Sequence, residues 1–167
     1  GSASLLWVKS AAGVELEEVY ELDQNLLEGF QIWVNLPAKN KDDTPEFKPV
    51  DFSEVPIVRQ NDGVMVRVLS GMYRQTMGAL DLTAPAVNLF DVMVPPYASF
   101  SLDAKYASSM VYLYQGRGFF GKYGEEDDVL VSRKKLMIYG EGDFILIRTE
   151  ETPVRLLFLD AEAIQEP

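Results

Sequence analysis

The chain has 167 residues, of which 47% are hydrophobic, a length and composition that suit one domain with an ordinary core. Its net charge of -11 repels nucleic-acid phosphates and anionic lipids, so we expect neither direct nucleic-acid binding nor membrane association. The sequence has no cysteine and no histidine, which excludes disulfides, thiolate and imidazole metal ligands, and the Ser/His/Asp and Cys/His catalytic arrangements.

The first 28 residues give no clear structural signal. Residues 1–4 are typical of a cloning remnant, and the segment that follows lacks the charged and apolar regions of a signal peptide. Between residues 5 and 28, Val14, Leu16 and Leu22 fit both a helical stripe and the alternation of a strand, so the pattern alone leaves both readings open.

Residues 29–37 read Gly-Phe-Gln-Ile-Trp-Val-Asn-Leu-Pro, an aromatic and β-branched run that ends at a proline. Because proline cannot donate to a sheet ladder, the run predicts a strand that stops there. Residues 38–61 combine acidic residues and prolines with scattered apolar side chains, which predicts an ordered connection on the surface.

The rest of the chain predicts a series of short strands. Apolar runs are separated by turns of Gly, Pro, Asp and Asn, and they occupy residues 64–69, 87–94, 110–114, 119–120, 129–131, 136–139, 144–148 and 154–159. This spacing is typical of an all-β sandwich or barrel rather than of alternating strands and helices.

Two charged clusters are predicted to be solvated surface segments. Residues 125–128, Glu-Glu-Asp-Asp, lack the spaced oxygen ligands and the glycine of a calcium loop. Residues 133–135, Arg-Lys-Lys, are typical of a turn that keeps a sheet edge soluble rather than of an anion-binding patch.

One strand offers a candidate ligand-binding face. Met110, Tyr112 and Tyr114 alternate with Val111 and Leu113, so only one of the two sets can point inward. If the first set points inward, its tyrosine hydroxyls would line a small-molecule pocket. A barrel filled by its own side chains is the competing reading.

Several segments resemble the pirin family, whose proteins consist of two cupin barrels in tandem. Residues 29–37 differ from the pirin run Gly-Phe-Gln-Leu-Trp-Val-Asn-Leu-Pro only at Ile32. Residues 7–18 keep the register of the pirin segment Trp-Met-Thr-Ala-Gly-x-Gly-hydrophobic-hydrophobic-His-x-Glu. Further similarities lie at residues 62–71, 83–85, 89–92, 140–143 and 161–167.

The resemblance implies an all-β fold of the cupin type, a jelly-roll β-barrel or double-stranded β-helix. It favours a strand over a helix for the segment before residue 29. It also implies that residues 5–37 are the terminal strands of a first barrel, that residues 38–61 are the connection, and that residues 62–167 form the second barrel.

The resemblance also implies a degenerate metal site. In pirins the histidine and the glutamate of the first motif are two of four iron ligands, and the matching positions here are Leu16 and Glu18. The general cupin metal motif, anchored on Gly116, places Asp103, Lys105 and Ser109 at its ligand positions, a set that builds no iron or zinc site. We therefore expect no metal or other cofactor in this chain, and iron only where an intact first barrel is present.

Pirins are iron-containing proteins, nuclear in animals and described as transcription co-regulators, and several act as quercetin dioxygenases. The leading hypothesis is a metal-free module that acts through protein contacts, with no catalytic residue of its own. The alternative is a fragment of a quercetin 2,3-dioxygenase whose iron site lies mostly in a missing first barrel. We expect an intracellular protein, nuclear or cytoplasmic, with an unidentified protein partner. We also expect a homodimer, because a half-molecule would expose the apolar surface that the missing barrel covers.

Overall fold

The computed structural model describes residues 4–17, 29–80, 82, 85–122, 124–140, 142–164 and 166. Within these ranges the chain forms fourteen β-strands, with two short 3-10 helices at Ala38–Asn40 and Phe52–Glu54. The strands are β1 Ser4–Lys9, β2 Glu46–Asp51, β3 Ile57–Arg59, β4 Met65–Ser70, β5 Met72–Tyr73, β6 Thr76–Met77, β7 Val87–Val94, β8 Ser99–Asp103, β9 Ser108–Gln115, β10 Arg117–Phe120, β11 Val129–Ser132, β12 Lys135–Tyr139, β13 Phe144–Arg148 and β14 Val154–Ala161.

The chain divides into two compact units, one of residues 1–54 with 164–167 and one of residues 55–163. In the first unit, β1 pairs with β2 in an antiparallel ladder that runs from Ser4 opposite Asp51 to Lys9 opposite Glu46. The Nζ of Lys9 lies 2.9 Å from Glu46 and 3.2 Å from Asp43, so it ties the end of this ladder to the preceding turn.

The strand predicted at residues 29–37 is wrong. All nine residues are described, and they are irregular up to the 3-10 helix that follows. The side chain of Trp33 is 87% exposed and that of Phe30 is 48% exposed. Strand preference reflects packing against neighbouring strands, and no described strand forms a ladder with this run.

The segments on either side of residues 29–37 also differ from what the sequence predicts. Residues 14–17 are irregular, which contradicts a strand there, and the rest of that segment, 18–28, lies outside the described residues. The predicted connection at residues 38–61 contains β2 and β3, so much of it is paired rather than loop. Whether residues 5–37 are the end of a first barrel stays a prediction.

The second unit consists of two antiparallel sheets and a small hairpin. A six-stranded sheet has the order β12-β9-β14-β7-β4-β3, and a four-stranded sheet has the order β11-β10-β13-β8. The hairpin pairs β5 with β6. The all-β prediction is confirmed, and each of the eight predicted runs from residue 64 onward overlaps a strand.

The core of this unit lies between its two sheets. In β14, Val154, Leu156 and Phe158 are fully buried, while Arg155 and Leu159 on the opposite face are partly exposed. Both sheets contribute buried side chains to one cluster, among them Val66, Val68, Phe90, Val92, Phe100, Leu102, Val111, Leu113, Phe120, Ile145 and Ile147. Full burial of such a side chain contributes about 1.5–3 kcal/mol, so this packing is the main source of stability.

The turn between β9 and β10 depends on a glycine. Gly116 has φ +82°, and a Cβ placed on it would overlap the carbonyl oxygen of Pro153. Gly124 has a similar φ of +77° but has no atom within 4 Å of such a Cβ. The two positions therefore share the backbone constraint and differ in the available space.

We expect Gly116→Ala to lower the free energy of unfolding by about 3 kcal/mol or more, because it adds a steric overlap to left-handed strain. Gly124→Ala is the matched control. It should lower the free energy of unfolding by about 1–2 kcal/mol, the cost of left-handed backbone strain alone. Urea denaturation followed by circular dichroism measures both. Equal losses in the two variants would contradict the proposed overlap with Pro153.

Candidate functional site

Within the part of the chain that the structure describes, the space between the two sheets holds no set of metal ligands. The three positions that the cupin motif assigns differ in their surroundings. Asp103, at the end of β8, and Lys105 are exposed, whereas Ser109 is buried in a hydrogen-bonded network. Among the described residues, no three acidic side chains are grouped closely enough to hold an ion. With no imidazole or thiolate in the sequence, the residues present do not fit the iron that the pirin resemblance implies.

The degenerate site predicted from the first pirin motif is only partly observable. Leu16 has a hydrocarbon side chain that is 44% exposed, so it supplies no ligand atom. Glu18 lies outside the described residues. The prediction that this chain holds no metal therefore rests on its residue types and stays a prediction.

A buried carboxylate closes one end of the apolar core. Asp160 follows Val154, Leu156 and Phe158 on the inward face of β14, and its side chain is completely buried. Its Oδ1 accepts hydrogen bonds from the Tyr106 backbone N–H at 3.0 Å and from the Ser109 hydroxyl at 2.9 Å.

The other oxygen of Asp160 has two donors as well. Oδ2 accepts from the side-chain amide of Asn88 and from the backbone N–H of Lys105, both at 3.0 Å. A carboxylate has about four lone-pair sites, so these four bonds use its accepting capacity. The group therefore joins β14, β7, β9 and the segment before β9, and it has no lone pair left for a ligand.

The sequence reasoning missed this network. The sequence does contain an indication of it. Asp160 alternates in step with the inward apolar residues of β14, and a buried charge there would need hydrogen-bond partners. The donors could not be inferred, because two of them are backbone groups whose position depends on the fold.

The predicted ligand-binding face of β9 points away from the core. Val111 and Leu113 are completely buried in the core cluster, whereas Met110, Tyr112 and Tyr114 are half-buried on the outer face of the six-stranded sheet. The reading in which those three side chains line a pocket inside the barrel is therefore wrong, because the pleat directs the aliphatic set inward.

Tyr114 belongs to a polar cluster on this outer face. Its hydroxyl donates to Oδ1 of Asp91 at 2.5 Å, while Oδ2 of Asp91 lies 3.2 Å from the guanidinium groups of both Arg67 and Arg155. Burial, together with the hydrogen bond to Asp91, raises the pKa of the Tyr114 hydroxyl well above its ordinary value. The tyrosine therefore stays neutral and acts as a donor.

A groove of about 240 Å³ lies beside this cluster on the outer face. We call it the arginine groove, and the residues that line it are Ile57, Arg59, Met65, Arg67, Asp91, Met93 and Arg155. They come from β3, β4, β7 and β14, which are neighbours in the sheet. Sequence reasoning did not find this site, because its residues meet only when four separate strands pair.

The buried network leads to a test of its structural role. We expect Asp160→Asn to lower the free energy of unfolding by about 3 kcal/mol, because an amide NH₂ would replace an acceptor that faces two donors. Asp127→Asn, on an exposed loop, is the matched control and should change stability little. Thermal unfolding by calorimetry measures both, and an unaffected Asp160→Asn protein would show that these bonds do not stabilise the fold.

Comparison with known proteins adds an independent line of evidence. No protein-family model matches the chain. A pirin-like protein of Caulobacter vibrioides is 28% identical over 169 residues, an alignment that includes 100% of this chain and 59% of that protein. Pirin-1 of Arabidopsis thaliana is 24% identical over 163 residues, which include 96% of this chain and 55% of that protein. The chain thus spans a little over half the length of these relatives.

The fold has a match among solved structures. A crystal structure described as quercetin 2,3-dioxygenase from Acinetobacter baumannii superposes with a TM-score of 0.70 and 21% identity, covering 81% of this chain and 46% of that one. Within the described residues, no helix has the length and apolar character needed to cross a bilayer. The predicted cupin-type jelly roll and the predicted resemblance are both confirmed, and the chain is similar in sequence to pirin-like proteins.

Proposed function

We propose that the unit of residues 55–163 is a metal-free cupin module that acts through protein contacts, in a regulatory or scaffolding role. The observation that supports this proposal is the filled interior. Val66, Val68, Val92, Val111 and Leu113 are all completely buried there, so the space between the sheets is occupied by hydrocarbon. A module of this kind interacts with other molecules through its outer surface.

The outer surface has one strand suited to protein contact. Among the described strands β12 pairs only with β9, so its other side is a sheet edge. Met137 and Tyr139 pack against the core, while Ile138 is 76% exposed and Leu136 is 54% exposed. An exposed apolar edge is a template for pairing with another strand.

The charges around β12 favour a second copy of this chain as its partner. The strand begins at Lys135, the last of the cationic residues 133–135, and it precedes an acidic segment that includes Asp143. Antiparallel pairing of two copies about Met137 brings the cationic start of each strand beside the acidic segment of the other. It also places Leu136 of one copy opposite Ile138 of its partner, so the contact is self-complementary.

We expect the purified chain to form a dimer, and light scattering at increasing concentration should approach twice the 18.8 kDa mass of the chain. Ile138→Lys places a charge in the centre of the proposed contact and should give a monomer of unchanged circular dichroism. Met77→Lys is the control, because Met77 is also an exposed apolar side chain, at 51%, but lies in the β5–β6 hairpin. A monomeric wild-type chain, or a dimer that persists in Ile138→Lys, would overturn this assignment.

The second candidate function is a fragment of a quercetin 2,3-dioxygenase, and the structural likeness to the Acinetobacter baumannii enzyme favours it. That likeness covers 46% of the enzyme, so a dioxygenase activity of this chain is a hypothesis. The ligands would have to come from outside the residues described above, since the described part supplies Leu16 where a histidine is required.

The two candidates differ in an assay of the chain as it exists. If the module is metal-free, incubation with Fe²⁺ followed by desalting should leave less than about 0.1 equivalents of iron by elemental analysis, because the interior has no imidazole or thiolate. The same preparation should leave the absorbance of quercetin unchanged in air. Stoichiometric iron together with consumption of quercetin would establish the dioxygenase candidate instead.

A further inference from the structure

We propose that the arginine groove binds a small organic acid, that is, a carboxylate or phosphate group attached to an apolar body. This site lies on β3, β4, β7 and β14, whereas the proposed dimer contact lies on β12 at the opposite edge of the sheet. The failure of one proposal would therefore leave the other unaffected.

The charge balance of the groove favours an anion. Three guanidinium groups line it, from Arg59, Arg67 and Arg155, against a single carboxylate from Asp91. Asp91 contacts Arg67 and Arg155 through the same oxygen. Positive charges thus outnumber negative ones by three to one among the lining residues, in a chain whose net charge is -11, and this lining favours an anion.

Arg59 differs from the other two arginines of the groove, because its described contact is not with the carboxylate of Asp91. Its guanidinium group donates to the thioether sulfur of Met65, which is a weak acceptor and carries no charge. The residue is exposed at the end of β3, opposite Met65 in the ladder. An incoming carboxylate or phosphate would offer this group a stronger, charge-assisted partner.

The remaining cations are held in place before any ligand arrives. Asp91 fixes Arg67 and Arg155, and the Tyr114 hydroxyl fixes Asp91 from its other oxygen. The guanidinium of Arg155 also lies over the ring of Tyr114, 5.4 Å from its centroid, and 40% of the Arg155 side chain remains accessible to solvent. Such preorganisation lowers the entropy cost of binding.

The rest of the groove selects an apolar body and limits its size. Met65 and Met93 lie opposite each other in the β4–β7 ladder, and Ile57 adds a third apolar side chain. Methionine adapts its shape to irregular apolar groups. A volume of about 240 Å³ is smaller than the range of roughly 300–1,000 Å³ for drug-sized ligands, so we expect a single ring or a short chain.

Benzoate and phenyl phosphate are suitable probes, with benzyl alcohol as the uncharged comparison. Methionine methyl groups labelled with ¹³C report the site directly, because Met65 and Met93 line the groove while Met72 and Met77 lie in the exposed hairpin. We expect at least one of the two anions to shift the signals of Met65 and Met93 in a saturable manner and to leave those of Met72 and Met77 unchanged. Added salt should weaken this binding.

Arg59→Gln tests the charge without disturbing the Asp91 contacts, and it should lower the affinity about tenfold, as expected for loss of one charge-assisted hydrogen bond. Arg117→Gln removes an exposed arginine on β10 of the other sheet and should bind like the wild type. The proposal is wrong if neither anion shifts the Met65 and Met93 signals, if benzyl alcohol shifts them equally, or if Arg59→Gln binds as tightly as Arg117→Gln.

Discussion

Strand β14 pairs with β7 on one side and with β9 on the other, and this central position directs one row of its side chains into the core. Val154, Leu156 and Phe158 fill the space between the sheets, and Asp160 is the next residue in the same row. Because the pleat leaves that carboxylate no route to water, the surrounding chain must supply its donors. The buried network is thus a consequence of the same register that builds the apolar core.

The register also determines what the opposite face of the six-stranded sheet presents. Near β3 and β4 that face presents arginines and methionines, and near β12 it presents exposed aliphatic side chains. The first region is chemically suited to a small anion and the second to another strand. Under the two proposals, a module with a filled interior has two separate regions for recognition on one outer surface.

The strands most easily predicted from the sequence are those buried on both faces or bordered by clear turns. Residues 87–94 were predicted with the bounds that β7 has, because six of its eight residues are buried. β8 was not predicted, because only two of its five residues, Phe100 and Leu102, are apolar. The other three, Ser99, Ser101 and Asp103, are polar and exposed. The strand wrongly predicted at residues 29–37 has the opposite cause. These residues have a strong local preference for a strand, but no described strand pairs with them. Neither the Asp160 network nor the arginine groove could be predicted, because each depends on strands that are distant in sequence.

The tightly filled interior also bears on how such a barrel could change in evolution or by engineering. Val66, Val92 and Val111 are fully enclosed, and a histidine at any of these positions would add volume and an unpaired polar ring at once. A metal centre needs several such ligands together, yet each single step towards it would weaken the fold before any ion could compensate. Building a metal centre at these three positions would therefore require compensating changes in the neighbouring side chains at the same time as the ligand substitutions.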